Sequence, residues 1–216
     1  MLVFFWSNTL ENLLGNEFLK RKTNAEKTDS TRRALLTAGR KLFAKNGYGS
    51  TSTESIVIKA KVTRGALYYH FKDKAELFAA VVEDLVHDTA AAIRKRASKE
   101  EDPWELLNAA FEVFLDRCMD PNYQRIVLQE APAVLSTERW EQMQARHSHG
   151  DLLFGVEKAI ESGNLKTPSA EALTCLLSGA IREAGFFISR ADDKKKARRE
   201  IGETVKQLLN GLRIPG

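Results

Sequence analysis

Residues 63–74 read TRGALYYHFKDK, a run that joins one arginine, two very small residues, three aromatics, a histidine and two lysines. These types suit contact with a polyanion better than bond-breaking chemistry. On a short helix starting after Thr63, Arg64 lies at the N-terminal end, where a guanidinium donates two hydrogen bonds to guanine O6 and N7 in a major groove. Gly65 and Ala66 let the backbone approach a groove floor, and Ala66 is suited to a thymine methyl. Tyr69 and His70 reach phosphate oxygens with a hydroxyl and a ring N–H, and Lys72 and Lys74 add charge beside the next helix N-terminus. Phe71 and Tyr68 are expected to pack inward.

Other chemistries find little support. His147 and His149 are two apart and project from different helix faces, so they do not form a metal pair. Glu130, Glu138 and Glu141 alternate with Arg125 and Arg139, a pattern of helical salt bridges rather than of a catalytic carboxylate pair. Phosphate-loop, nucleophile-elbow and metal-ligand patterns are missing from the sequence, and no cofactor or metal is expected. Cys118 and Cys175, the two cysteines, are far apart inside apolar helical patterns, which argues against a disulfide framework and for a reducing cytoplasm.

Positioning the 63–74 stretch requires a compact helical unit. Apolar residues recur at three and four from residue 28 onward, so the chain is expected to be all-α. A helix over about 31–46 buries Leu35, Ala38, Leu42 and Phe43, and Asn46-Gly47 terminates it. A second runs from Ser52 or Thr53 to Ala60, and a third over 64–70 follows the Thr63 cap. The fourth opens at Asp73, with Glu76 completing a capping box, and runs to about Arg96. Helices as short as the second and third are credible only with the first beside them, in a helix-turn-helix layout with Ile56, Val57, Ala60, Val62 and Leu67 as core.

The 216 residues carry a net charge of +4, unevenly spread. Residues 1–80 hold 14 Lys+Arg against 7 Asp+Glu, and the remainder is net −3. A basic N-terminal module on a slightly acidic body permits a polyanionic partner. The opening MLVFFWSNTL lacks the ~20 apolar residues of a membrane span, and stable membrane association is not expected. Residues 8–20, with Leu10, Leu13, Leu14 and Phe18 at helical spacing, are expected to form an extra helix docking on the body or on a second subunit, or else to precede the true start.

Beyond the charged break ASKEEDP, longer helices are expected from Asp102-Pro103, from Asp120-Pro121, over about 137–161, after Thr167-Pro168 to about Arg190, and over about 193–212. The boundaries read as an extension over 1–27, a basic module over 28–88 and a helical bundle over 89–216. Phe111, Phe114, Cys118, Tyr123, Trp140, His147 and Phe154 are candidates to line an apolar pocket for a small-molecule effector. Leu173, Leu176, Leu177, Ala180, Ala184, Phe187, Val205, Leu208 and Leu209 offer more apolar surface than one body needs, and are expected to pair with a second copy as a homodimer.

The segment 32–83, with LFAKNGY, TRGALYYHFKDK and the following LF, closely resembles the DNA-binding domain of the TetR family of bacterial transcriptional regulators. The resemblance implies a repressor that binds double-stranded operator DNA as a homodimer and is released by a small molecule, and it implies no enzyme. It also implies DNA contacts at Ser52, Thr53, Thr63, Arg64, Gly65, Tyr69, His70 and Lys74. RIVLQEAPAVLSTERW, 125–140, is similar to a segment in one branch of the family. Two departures stand out: Val57 and Lys61 where the family commonly has Ala and Gly. Lys61 falls in the turn, where a left-handed conformation costs a side chain roughly 1 kcal/mol if it is kept. A membrane-associated or partner-binding regulator using the apolar N-terminus, or a helical enzyme, are the alternatives to this reading.

Overall fold

The computed structural model describes residues 7–165 and 167–214, with side chains from residue 24 onward except at 144, 148 and 166. Among the described residues there is no strand, only an isolated bridge between Leu165 and Arg213, so the protein is all-α. The N-terminal unit comprises α1 (Ser7–Asn46), α2 (Thr53–Ala60), α3 (Arg64–His70) and α4 (Lys74–Ala97). The body adds α5 (Pro103–Arg117), α6 over 121–134, α7 over 137–161, α8 (Ala170–Arg190) and α9 (Lys194–Leu212).

The separate helices expected over 8–20 and 31–46 are one helix, α1, because no Pro or left-handed residue interrupts residues 20–31. Asn46-Gly47 ends it as expected, with Gly47 at φ 82°. Leu35, Ala38, Phe43, Ile56, Val57, Leu67, Phe71, Leu77, Phe78, Val81 and Val82 are buried together, while Leu42, Ala60 and Val62 are half-buried at the edge of the same core.

Two of the expected body helices contain π-helical turns, Gln124–Glu130 within α6 and Ala145–His149 within α7. The first has a local cause. Pro132 has no N–H and cannot continue the i−4 ladder, and the Ala131 N–H before it donates five residues back, to Ile126 O. An ion chain ties the N-terminal unit to the body: Arg40 on α1 to Asp88 on α4 at 3.4 Å, Asp88 to Arg117 at 4.0 Å, and Arg117 to Asp120 at 3.5 Å.

In α8, one helical stripe lies inside and another outside. Leu173, Leu177, Ala184 and Ile188 are buried, whereas Leu176 and Phe187 are 72% and 49% exposed and Ala180 is exposed on their side. Among the described residues α8 alone has the length and composition of a membrane span, with a mean hydropathy of 1.3. Its buried stripe packs on α7 and α9. On α9, Leu208 is 51% exposed.

Candidate nucleic-acid interface

Each short helix of the N-terminal unit is fixed at its start by a side chain. Ser52 Oγ accepts from Ser55 N at 3.0 Å, Thr63 Oγ1 from Ala66 N at 3.1 Å, and Asp73 Oδ1 from Glu76 N at 2.8 Å. Glu76 reaches back one residue further than a capping box does, accepting from Lys72 N. Lys61 between α2 and α3 has φ 55° and ψ 42°, so the turn keeps its left-handed conformation in spite of the side chain. Its N–H donates to Ile58 O, which closes α2 and sets the angle at which α3 leaves.

α3 is held by Leu67 and Phe71, both buried, and turns the rest of its surface outward. Thr63, Arg64, Gly65 and Tyr69 are exposed and Ala66 and His70 half-exposed; Tyr69, at 76%, pairs edge-on with His70 at 5.2 Å. Tyr68, expected inside, is 44% exposed. With α2 crossing beneath it, its ring stays outside and lies under Arg64, whose guanidinium carbon is 5.6 Å from the ring centroid. Hydrogen bonding by Arg64, then by Thr53, lowers the Tyr68 pKa from its ordinary value. Arg64 is thereby braced at the helix N-terminus.

Gly65 is informative because nothing among the described residues requires it. It is helical, and a Cβ built on it would meet only Thr63 Oγ1, at 3.9 Å. Glycine costs a helix roughly 0.5–1 kcal/mol relative to alanine, and no neighbour among the described residues explains that cost.

Lys74 departs from expectation. Its ammonium donates to Tyr48 O at 2.9 Å and sits 4.2 Å from the Tyr48 ring centroid, so it is half-buried in the α1–α2 turn rather than extended toward a phosphate. The turn itself is part of the junction with the body. Glu130 accepts from Tyr48 N at 3.0 Å and pairs with Arg125 at 3.0 Å, while a Cβ on Gly47 would lie 2.6 Å from both Arg125 Nη2 and Glu130 Oε1. Tyr48, Arg125 and Glu130 therefore join the end of α1, the start of α4 and the π-helical part of α6. Tyr48 stacks with Phe43 and Phe78, and burial, then the Asp73 charge, raises its phenol pKa. Sequence spacing gave no sign of this junction, since Tyr48 and Glu130 are 82 residues apart.

Comparison with known proteins follows the two-part layout. Residues 35–81 match the family described as bacterial regulatory proteins, tetR family, and residues 104–212 match the tetracyclin repressor-like C-terminal domain. The second match alone spans half of the chain. The chain belongs to the TetR family. It is similar to the Transposon Tn10 TetC protein of Escherichia coli, 31% identical over 71% of this chain and 78% of that one. A second relative is the HTH-type transcriptional regulator TtgR of Pseudomonas putida, 29% identical over 73% of this chain and 81% of TtgR. Among solved structures, a TetR-family regulator from Pectobacterium atrosepticum superposes with a TM-score of 0.76 at 31% identity, over 88% of this chain and 97% of that one. This TetR-family chain is thus a DNA-binding transcriptional regulator with a helix-turn-helix domain followed by a helical C-terminal domain.

The residues expected to line one effector pocket do not lie together. Phe111 packs with Trp104, Leu107 and Val156 in a second core cluster, because it faces α7 rather than α4. Phe154 is 54% exposed with Lys158 Nζ 5.6 Å from its ring centroid. Phe114, Cys118, Tyr123 and Trp140 remain around the first cluster. There Gln124 Nε2 donates to Cys118 O at 2.6 Å, and Arg117 Nε donates to Thr89 Oγ1 at 3.2 Å. Burial pushes the Cys118 thiol up to about 12 and raises the Tyr123 phenol above its ordinary value. Both are therefore neutral polar handles in an apolar setting. His147 Nε2 is 3.1 Å from Glu83 Oε1 and its ring is 5.6 Å from that of His87, which places it against α4. A cleft of about 540 Å³ between the end of α4, α5 and α9 is lined by Arg96, Trp104, Glu112, Lys206 and Arg213 among others, and by none of the seven expected pocket residues.

The expected dimer residues also divide. Leu173, Leu177, Ala184 and Leu209 are buried inside the chain and Val205 is half-buried against them, since α8 and α9 spend these stripes on their own body. Leu176, Ala180, Phe187 and Leu208 stay outside.

Proposed function

We propose that this chain is a cytoplasmic, homodimeric repressor that binds a pseudopalindromic operator through paired α3 helices and releases it when a small apolar or aromatic effector enters the C-terminal body. One observation carries the reading: α3 offers Arg64, Gly65, Tyr69 and His70 to the outside on a helix too short to need them for its own packing. Arg64 reads a base edge, Gly65 and Ala66 admit the backbone to the groove, and Tyr69, His70 and Lys72 hold phosphates. Ser52, Thr53 and Thr63 add hydroxyl donors at the helix starts, while Lys74 stabilises the turn and contributes charge at the α4 N-terminus.

The dimer rests on the outer stripe of α8 with Leu208 of α9. A groove of about 480 Å³ lined by Ala180, Glu183, Ala184, Phe187, Arg190, Ala191 and Ile201 lies along it, and a second copy related by a two-fold axis covers the apolar surface. The span between the two α3 helices then has to match successive major grooves, roughly 34–36 Å apart. An effector among Phe114, Cys118, Tyr123 and Trp140 acts by binding better to the conformer with the wrong span. The Glu130–Tyr48–Lys74 contacts pass a change in α6 to both α1 and α4.

The reading is tested by selecting duplexes from a random pool with the full chain and measuring complex mass by sedimentation. Two or four chains on an inverted repeat, dissociated by planar aromatic compounds that raise the melting temperature, is the expected result. A monomer on an asymmetric site, or dissociation by divalent metals or phosphorylated metabolites instead, would contradict it.

A further inference from the structure

The TetR-family match begins at residue 35, yet α1 begins at Ser7. The additional part of the helix is strongly basic. Residues 20–33 contain Lys20, Arg21, Lys22, Lys27, Arg32 and Arg33 against Glu26 and Asp29, a net +4 that equals the charge of the whole chain. Residues 24–30 are exposed throughout, so no part of the described protein covers this stretch.

The two ends of residues 32–46 of α1 lie in different surroundings. Its C-terminal end, through Gly47 and Tyr48, touches Glu130 of the body. Arg32, one turn before the first α1 core residues, has its guanidinium carbon 5.6 Å from the ring centroid of Phe71, the residue that caps α3. The extension therefore leaves the domain beside Phe71, at the end of α3, and away from the Glu130 junction. At about 1.5 Å per residue, residues 20–31 reach roughly 18 Å beyond that point, the span of about five base-pair steps.

We infer that the basic N-terminal part of α1, residues 20–33, is a second DNA-binding element that lies along phosphates outside the operator half-site read by α3. The inference rests on α3 being the DNA-facing helix, and goes beyond it in giving the protein a footprint longer than its selected sequence. Charge complementarity and continuity with the α3 surface choose the occupant. Contacts of this kind carry no sequence preference; they add affinity that falls steeply with salt.

The test compares the full chain with a variant bearing Lys20→Ala, Arg21→Ala, Lys22→Ala and Lys27→Ala, alanine being chosen because it favours helix. Both are titrated by fluorescence anisotropy against a duplex selected by the wild-type chain, once trimmed to its selected positions and once with twelve added base pairs of arbitrary sequence on each side. The flanked duplex should bind the wild type roughly tenfold or more tighter than the trimmed one near 0.1 M salt, with a log–log salt slope steeper by about 2–4 per protomer. The variant should lose that increment and keep its affinity for the trimmed duplex, which also shows that it folds. Equal affinity of the wild type for both duplexes would overturn the inference, as would equal loss on both by the variant. Binding of the wild type, but not the variant, to phosphatidylglycerol vesicles without any flank effect would assign the segment to a membrane surface and overturn it too. Failure of the wild type to select any duplex in the first place would strike at the α3 reading itself.

Discussion

Replacing Gly65 by alanine separates what the fold needs from what the interface needs. An added Cβ meets only Thr63 Oγ1 at 3.9 Å, an ordinary contact, and Gly65 already has a helical backbone. The substitution should therefore stabilise the folded chain, by up to about 1 kcal/mol from helix propensity and less because Gly65 is in the first turn. On DNA the sign reverses. A methyl group where the backbone is proposed to approach the groove should push α3 outward and lengthen the proposed Arg64 and Tyr69 contacts together. The loss should be about 1–3 kcal/mol, comparable to one mismatched base pair and equal to roughly a 5- to 150-fold rise in Kd per half-site. Differential scanning calorimetry and anisotropy titration of the same sample give both numbers. A lower melting temperature would refute the open space assigned around Gly65, and an unchanged Kd would remove Gly65 from the interface.

Leu176→Glu with Phe187→Glu places charge on the outer stripe of α8 and should give a folded monomer by sedimentation, with helical circular dichroism unchanged; a persistent dimer would move the interface elsewhere. Glu130→Ala leaves the Tyr48 N–H without its acceptor, so it should cost about 1–3 kcal/mol in chemical denaturation and weaken the effect of any effector on DNA affinity; full retention of that effect would place the coupling outside this junction. Arg198 donates to Glu112 at 2.5 Å and to Asp116 at 2.8 Å, bracing α9 on α5. Burial opposes ionisation of Glu112, but the hydrogen bonds from Arg198 and Lys206 prevail and lower its pKa below the ordinary 4.5. The stabilisation is thus complete above about pH 4.5 and is lost as pH falls through the depressed value. Glu112→Gln should cost about 1 kcal/mol at neutral pH, limited by solvent screening, and should flatten the acid loss of melting temperature; an identical acid profile would refute this.

The elements of the N-terminal unit are the most legible in the sequence because their signals are local. Ser52, Thr63 and Asp73 cap helices that begin one residue later, and Gly47 ends α1 where a left-handed residue is required. Periodicity also marked α5 and α8. It does not distinguish a residue buried in its own chain from one awaiting a partner, which is why Leu173, Leu177 and Leu209 were grouped with Leu176 and Phe187. The positions of Lys74 and Tyr68 are set by the Tyr48 carbonyl and by Arg64, which their own spacing does not show. The pocket residues scatter because Phe111 packs against α7 while Phe154, on α7 itself, turns outward, an orientation that only the tertiary arrangement defines. The π-helical turns shift every later side chain in α6 and α7 by about 100° against a regular helix, and a reading at 3.6 residues per turn misses that.

The proposed operator recognition depends most on Arg64 reading a base from the start of α3. The direct measurement is a set of binding isotherms for wild type and Arg64→Ala on the selected operator and on each of its symmetric single-base variants. The expected result is a loss of about 1–3 kcal/mol on the parent duplex, with preference abolished at one position per half-site and preserved at the others. An Arg64→Ala protein that keeps the full pattern of base preferences, whatever its affinity, would contradict the account.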